Sequence, residues 1–215
     1  MATLMLKKEA VAIHGGDLGN PSKMPGRATG LDPRNCNVGG KLRPVKGSTC
    51  EKCYAFEGRY KQYAVAMEKA WAKRRAGLDN PKWVPAMARL LRGESNFRWH
   101  DAGDLQGAWH LARIVAVACL TPETSHWLPT REYKLVADYK RAGGFLPPNL
   151  VIRLSAPMVG AQMNTKTGTS SMVLAKGQET PAGVHKCPAS TQSNECGDCR
   201  ACWAPTVATV AYPIH

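Results

Sequence analysis

Residues 96–119 read NFRWHDAGDLQGAWHLARIVAVAC. The stretch predicts a short strand over 96–100, NFRWH, running into a polar turn. It then predicts an apolar helix over 105–119, LQGAWHLARIVAVAC. The same pattern continues downstream. TSHWLPT, residues 124–130, reads as a second strand. REYKLVADYKRAG, residues 131–143, reads as a helix stopped by Gly143-Gly144. NLVIRLSAP, residues 149–157, is a third strand, bounded by prolines. Upstream, a helical pattern covers 60–77, with Ala64, Met67, Ala70 and Trp71 on one face. A second helix starts after Asn80-Pro81 and carries Trp83, Val84, Met87, Leu90 and Leu91 as its stripe. Strands that alternate with helices of this length predict β/α units and a parallel sheet. The expected class is therefore α/β, a small or incomplete (β/α) barrel-like parallel sheet.

The flanks differ in composition. Residues 15–49 are rich in Gly, Pro, Asn and basic side chains and are read as irregular. Residues 160–182 are read as a loop or hairpin. The chain of 215 residues fits a single domain over 1–215. Its parts are an irregular cysteine-bearing segment over 15–59, a β/α core over 60–160 and a cysteine-rich closing segment over 183–215.

Each predicted strand ends in polar groups. These are His100, Asp101 and Asp104 after the first, Thr130, Arg131 and Glu132 after the second, and Arg153 and Ser155 at the third. Carboxyl ends of parallel strands line the ligand crevice of α/β folds. His100, Asp104 and Arg131 are the candidate catalytic residues, as acid/base or anion-clamping groups. Asp104 is also placed to cap the following helix. His126, inside a strand, is read as a core histidine.

Eight cysteines complete the inventory. Cys187, Cys196, Cys199 and Cys202 fall within sixteen residues, the last three in consecutive C-x2-C steps. Such a run supplies ligands to the separate corners of an iron–sulfur cluster. Zinc needs four ligands at one tetrahedral point and is the alternative, since soft thiolates select both. His185 lies close enough in sequence to be a ligand or merely a neighbour. Cys36, Cys50 and Cys53 form a second group, C-x13-C-x2-C, just before Tyr54. The seven grouped thiols make one four-thiolate and one three-thiolate centre, or one site with spare thiols. Cys119, alone in an apolar helix, is read as a small core residue.

The N-terminus lacks the order of a secretory signal, and no run of about 18 apolar residues occurs. A reducing, intracellular setting without membrane contact is expected, in which clustered cysteines point to metal rather than disulfides. The formal net charge of +13 favours phosphate-rich partners. One alternative to the iron–sulfur reading is therefore a zinc-stabilised protein that binds nucleic acid through its basic surface, with stacking on Tyr54, Tyr60 and Tyr63 beside Arg59 and Lys61. Another is a protein whose metal is only a staple and whose function lies in contacts to a host partner.

The combination of GGKLRPVKGSTCEKCYA, FRWHDAGDLQ, HWLPTREY and CGDCRACW resembles the phage gene-product-88 family, from about Gly26 to the C-terminus. The resemblance implies a virus-encoded protein in the cytoplasm of an infected bacterial host. It also implies cysteines retained for a metal centre, and leaves any host partner unspecified. More distantly, Cys53-Tyr54 before a helix and polar strand ends are similar to radical S-adenosylmethionine enzymes. There a partial (β/α) barrel carries a three-cysteine cluster. That similarity implies a [4Fe–4S] cluster with S-adenosylmethionine and radical or redox chemistry. The chain departs from the pattern in two ways. Cys36-x13-Cys50-x2-Cys53 stands in place of the C-x3-C-x2-C run, and about three β/α units are evident instead of six.

Overall fold

The structure, a computed structural model, describes residues 5–163 and 168–214. In chain order its helices are α1 (Lys7–His14), α2 (Asn37–Leu42), α3 (Gly58–Gln62), α4 (Ala64–Gly77), α5 (Trp83–Leu90), α6 (Ala108–Leu120) and α7 (Tyr133–Arg141). The strands are β1 (Arg27–Ala28), β2 (Asn96–Arg98), β3 (Ser125–Thr130), β4 (Leu150–Ser155), β5 (Thr169–Leu174), β6 (His185–Lys186) and β7 (Thr209–Pro213). They form one parallel sheet of seven strands in the order β1-β2-β3-β4-β5-β7-β6. The outer strands are not paired with each other, so the sheet is an open, incomplete barrel wrapped by helices, as the strand–helix alternation predicts.

Strand alternation sorts the sheet into two faces. Phe97, Trp99, Leu128, Leu150 and Ile152 face α1, α5, α6 and α7 and join the main core with Trp83, Met87, Leu111 and Ile114. His126 lies on this face, fully buried as expected, with Nε2 hydrogen-bonded to Thr121 Oγ1 (2.9 Å) and its ring stacked on Trp99. The opposite side of the strands carries Arg98, Trp127, Arg153, Val210 and Tyr212. There Trp127 and Val210 pack on Ala201, Cys202 and Trp203. Helices thus cover one face, and the cysteine-rich C-terminal segment covers part of the other. Pro129 is tolerated in β3 because its backbone nitrogen faces the β2 side beyond the end of that strand. Trp127, two residues earlier, makes the last link, accepting from Trp99 N–H (2.8 Å).

Several boundaries differ from the sequence reading. The strand expected over 96–100 ends at Arg98, and the helix expected over 105–119 starts at Ala108, after Gly107. Asp104 consequently does not cap that helix; its carboxylate accepts from Leu105 N–H instead. The helix over 60–77 breaks at Tyr63, and this bend allows Tyr60 to stack on Trp71 at 5.9 Å. Of its expected face, Trp71 is buried while Ala64 is exposed. Segment 15–49 contains β1 and α2. The loop or hairpin over 160–182 contains instead β5, parallel to β4. Residues 164–167 of that stretch lie outside the described residues. Cys119 is exposed rather than core, because Leu111, Ile114, Val115 and Ala118 define the buried side of α6.

Gly26 sets the entry to β1. Its φ is +75°, and a Cβ there would lie 1.9 Å from the Asn96 carbonyl oxygen of the neighbouring strand. Gly26→Ala is therefore expected to detach the β1 edge and to cost about 3 kcal/mol of unfolding free energy, read by urea titration.

Candidate metal centres

The first thiol group is delivered by the segment that follows β1. Thr29 N–H donates to the Arg98 carbonyl (3.2 Å) and Leu31 N–H to the Ala102 carbonyl (2.8 Å), so the chain is guided past the end of β2. A 3₁₀ turn at Pro33–Asn35, capped by the Asp32 side chain, then presents Cys36 and α2. Buried Glu132, just beyond β3, accepts from Val38 N–H (2.9 Å) and pins the start of α2. Thr49 N–H donates to the Pro157 carbonyl (2.9 Å) beyond β4, and Arg131 Nε donates to Thr49 Oγ1 (3.0 Å). The Cys36–Cys53 segment is thereby tied across the carboxyl ends of β3 and β4.

Gly39 explains how two of the thiols come together. A Cβ on it would stand 3.1 Å from Cys36 Cβ and 3.5 Å from Cys50 Sγ, so α2 lies directly over both. Burial pushes the Cys36 thiol up to about 12, helped by the negative charges of Asp104, Cys53 and Cys50. Burial raises the Cys50 thiol too, against the pull of Arg131. Thiols in this state ionise when a cation compensates them, which is the chemistry of a metal ligand.

Asp104 and Arg131 meet at this edge. The buried Asp104 carboxylate accepts from Leu105 N–H (2.8 Å), Thr130 Oγ1 (2.6 Å) and Arg131 N–H (2.9 Å). Burial outweighs these donors and holds its carboxyl up, to about 6. A group whose proton is bound more tightly in the folded chain stabilises most below its unfolded value near 4. That stabilisation is lost as pH rises through about 6. The expected result is a fall of about 2 kcal/mol in unfolding free energy between pH 4 and pH 7 from this group. The slope is expected to vanish in Asp104→Asn, measured by urea titration at both pH values.

His100, the third expected catalytic residue, is not part of this cluster. It lies on the helix side of the sheet, buried, with a left-handed backbone (φ +54°) and its ring 5.3 Å from that of His110.

The second thiol group lies against the other face of the sheet. Cys187 N–H donates to the Ala211 carbonyl (2.8 Å) and Cys196 N–H to the Lys23 carbonyl (2.9 Å). Cys202 Sγ lies 3.2 Å from the Tyr212 hydroxyl, and Cys199 Sγ lies 3.4 Å from His185 Nε2. Burial pushes Cys202 up to about 11, the Tyr212 hydroxyl opposing it. Cys196 is raised by burial and then by Cys187 and Cys199. The four thiols therefore share one neighbourhood. Among the described residues, no three His, Cys, Asp or Glu side chains stand close enough to hold a single metal ion as they are.

Two residues that hold this arrangement carry a role the sequence reading did not give them. Arg153, expected among the polar groups of a strand end, is fully buried. Its guanidinium donates to the carbonyls of Ala201, Cys202, Ala204, Val207 and Ser170 at 2.6–3.2 Å. A lone charge inside the apolar run VIRLS was its signal in the sequence. Arg98 donates to the Tyr54 hydroxyl (2.9 Å), beside Cys53, and lies 4.7 Å above the Trp127 ring. Its charge also favours the thiolates of Cys196 and Cys202, so it stands between the two groups.

The fold and these sites define a class: an open parallel α/β sheet with one thiol group at its carboxyl edge and a second on its inner face. The family model described as Gene product 88 matches residues 33–205, and the chain belongs to that phage family. No curated protein and no solved structure matches the chain. Among the described residues, no helix is long and apolar enough to cross a membrane.

Proposed function

We propose that the chain is an iron–sulfur protein that performs redox or radical-type chemistry at the carboxyl edge of its sheet. Cys187, Cys196, Cys199 and Cys202 hold a [4Fe–4S] cluster. Cys36, Cys50 and Cys53 hold a second centre whose remaining corner is open beside Asp104 and Arg131. The observation that carries this reading is the delivery of three thiols, Cys50 buried and Cys36 and Cys53 half-buried, from the segment after the first strand onto the edge where Asp104 and Arg131 meet. Placement of a three-cysteine centre at the strand ends of a partial barrel supports the likeness to radical S-adenosylmethionine enzymes. On that likeness S-adenosylmethionine is the candidate for the open corner.

The consecutive C-x2-C steps of Cys196, Cys199 and Cys202 support a polyhedral cluster over one tetrahedral zinc, because they supply thiolates to separate corners. When bound, such a cluster supplies one-electron chemistry and an open iron. The chain's own groups do the rest. Buried Asp104 holds or releases a proton near neutral pH. The Arg131 side chain is oriented by Thr49 and tempers the charge of Cys50. Tyr54, held between Arg98 and the Asp101 carbonyl, forms one wall beside Cys53.

The test is anaerobic purification followed by iron, acid-labile sulfide and zinc analysis. The reading requires a brown protein with iron and sulfide in about equal amounts. It fails if the protein is colourless and loaded with zinc. Incubation of the iron-loaded protein with S-adenosylmethionine and a reductant should release 5′-deoxyadenosine. Absence of that product removes the radical branch alone.

A second reading rests on α3 and α4. Tyr63 is 57 % exposed, and Arg59, Lys61, Lys69 and Lys73 are exposed around it. This face suits single-stranded nucleic acid, with a base stacked on Tyr63 and phosphates on the basic side chains. Oligonucleotide binding by fluorescence anisotropy should weaken steeply between 50 and 200 mM salt, as expected for roughly six phosphate contacts. No binding at low salt ends this reading.

A further inference from the structure

His100 leads to a site that the thiol chemistry does not use. It lines a small cavity of about 10 Å³ together with His14, Thr29, Arg74, Trp83 and His110. Both ring nitrogens of His100 are buried without a hydrogen-bond partner, as are Trp83 Nε1 and Arg74 Nε. His100 is only 4 % exposed and Trp83 only 2 %. Orphaned polar atoms in such number are costly, and here they converge on one hole of about the size that holds a single small occupant, ~10–15 Å³.

The donor set excludes a metal cation. His14 spends Nδ1 on the Gly16 carbonyl (2.7 Å) and Nε2 on Thr29 Oγ1 (2.9 Å). His110 Nδ1 accepts from Gln106 N–H (3.3 Å). Three imidazoles line the cavity, yet only His100 has both nitrogens unengaged, and no carboxylate lines it. What the cavity offers is N–H groups: one each from Arg74, Trp83 and His100.

Charge separates an anion from a water molecule. Arg74 lines the cavity and no carboxylate does. Arg74 itself has no ion-pair partner among the described residues; its Nη atoms reach only the carbonyls of Gly30 and Asp17, each at 3.4 Å. A buried site beside this unpaired guanidinium favours a negative occupant over a neutral one.

We infer that the cavity beneath His100 binds one monatomic anion of the halide class, chloride under ordinary conditions, through the N–H groups of Arg74, Trp83 and His100. The left-handed backbone of His100 is what turns its ring away from the sheet edge and into this site.

The test uses the full chain as purified, in whichever metal-loaded form it is isolated, transferred to sodium gluconate at fixed ionic strength. Gluconate is too large to enter. Replacing it stepwise with chloride or bromide is expected to raise the unfolding temperature once halide exceeds Kd and then logarithmically, by about 4 °C at tenfold excess over Kd. Trp83→Phe keeps the ring and removes one donor; it should shift the half-saturation midpoint fitted from that rise about tenfold higher in halide. Arg74→Met should abolish the halide response, and Trp83→Phe stands in for it if that variant does not fold. Equal unfolding temperatures of the wild type in gluconate and chloride would mean the cavity holds water, and the inference is wrong. It is also overturned if Trp83→Phe responds to halide at the same midpoint as the wild type, because the effect is then not at this site.

Discussion

Arg153→Leu is expected to destabilise the chain by about 4 kcal/mol and, on the proposed iron–sulfur reading, to strip iron from the C-terminal thiol group although no cysteine is changed. The guanidinium makes five hydrogen bonds to backbone carbonyls, three of them on Ala201, Cys202 and Ala204. Leucine fills much of the volume but leaves those carbonyls buried without donors, and each such orphan costs about 1–3 kcal/mol. The segment that presents Cys199 and Cys202 then loses its fixed path across the inner face. Arg153→Lys is expected to recover only part of the loss. An ammonium is a point donor that cannot span acceptors on both β5 and the 201–207 loop. Urea titration gives the stability, and iron analysis gives the second effect. Wild-type iron content in Arg153→Leu would show that the loop is positioned by the metal alone.

Arg153 also marks the limit of what the sequence discloses. Its charge in an apolar strand was visible, but four of the five acceptors come from a loop about fifty positions away and the fifth from β5, which no local pattern encodes. The central strands β2, β3 and β4 were legible because each is a short apolar run closed by polar or proline signals. β5 was not, since Thr169, Ser170 and Ser171 carry little apolar pattern and the surrounding glycines read as loop. β1 and β6, of two residues each, have no period to detect; tertiary pairing alone defines them. The spacing of the cysteines revealed both thiol groups. Asp104 and Arg131, placed by the sequence at strand ends, stand beside the first group. His100 stands apart from them, since a rule about strand ends fixes where a residue falls, not which way its backbone turns. It is left-handed two positions after β2 and lies on the helix side. Cys119 was misplaced by one step of the helical period, and it sits in solvent at the end of α6.

That misplacement supplies the control for the second large effect. Cys199→Ala is expected to remove the iron of the C-terminal group and to lower stability by roughly 5 kcal/mol, because metal binding energy in such a segment doubles as folding energy. Cys119→Ala should leave both quantities unchanged. The contrast is informative because Cys199 itself makes few stabilising contacts as a thiol. Its sulfur has one weak polar neighbour, His185 Nε2 at 3.4 Å, and the residue packs, only partly buried, against the cluster of Trp127, Ala201, Cys202, Trp203 and Val210. Truncating a half-buried thiol with one such contact accounts for about 1 kcal/mol at most. A loss several times larger therefore has to come from an interaction the side chain makes with a bound cation. Measuring the variant twice, before and after chelation of iron from the wild type, makes the argument quantitative. If the metal is the source, chelated wild type and Cys199→Ala unfold at the same urea concentration. If the variant lies well below the chelated wild type, the sulfur supports the fold by packing instead, and the C-terminal cysteines lose their assignment as ligands.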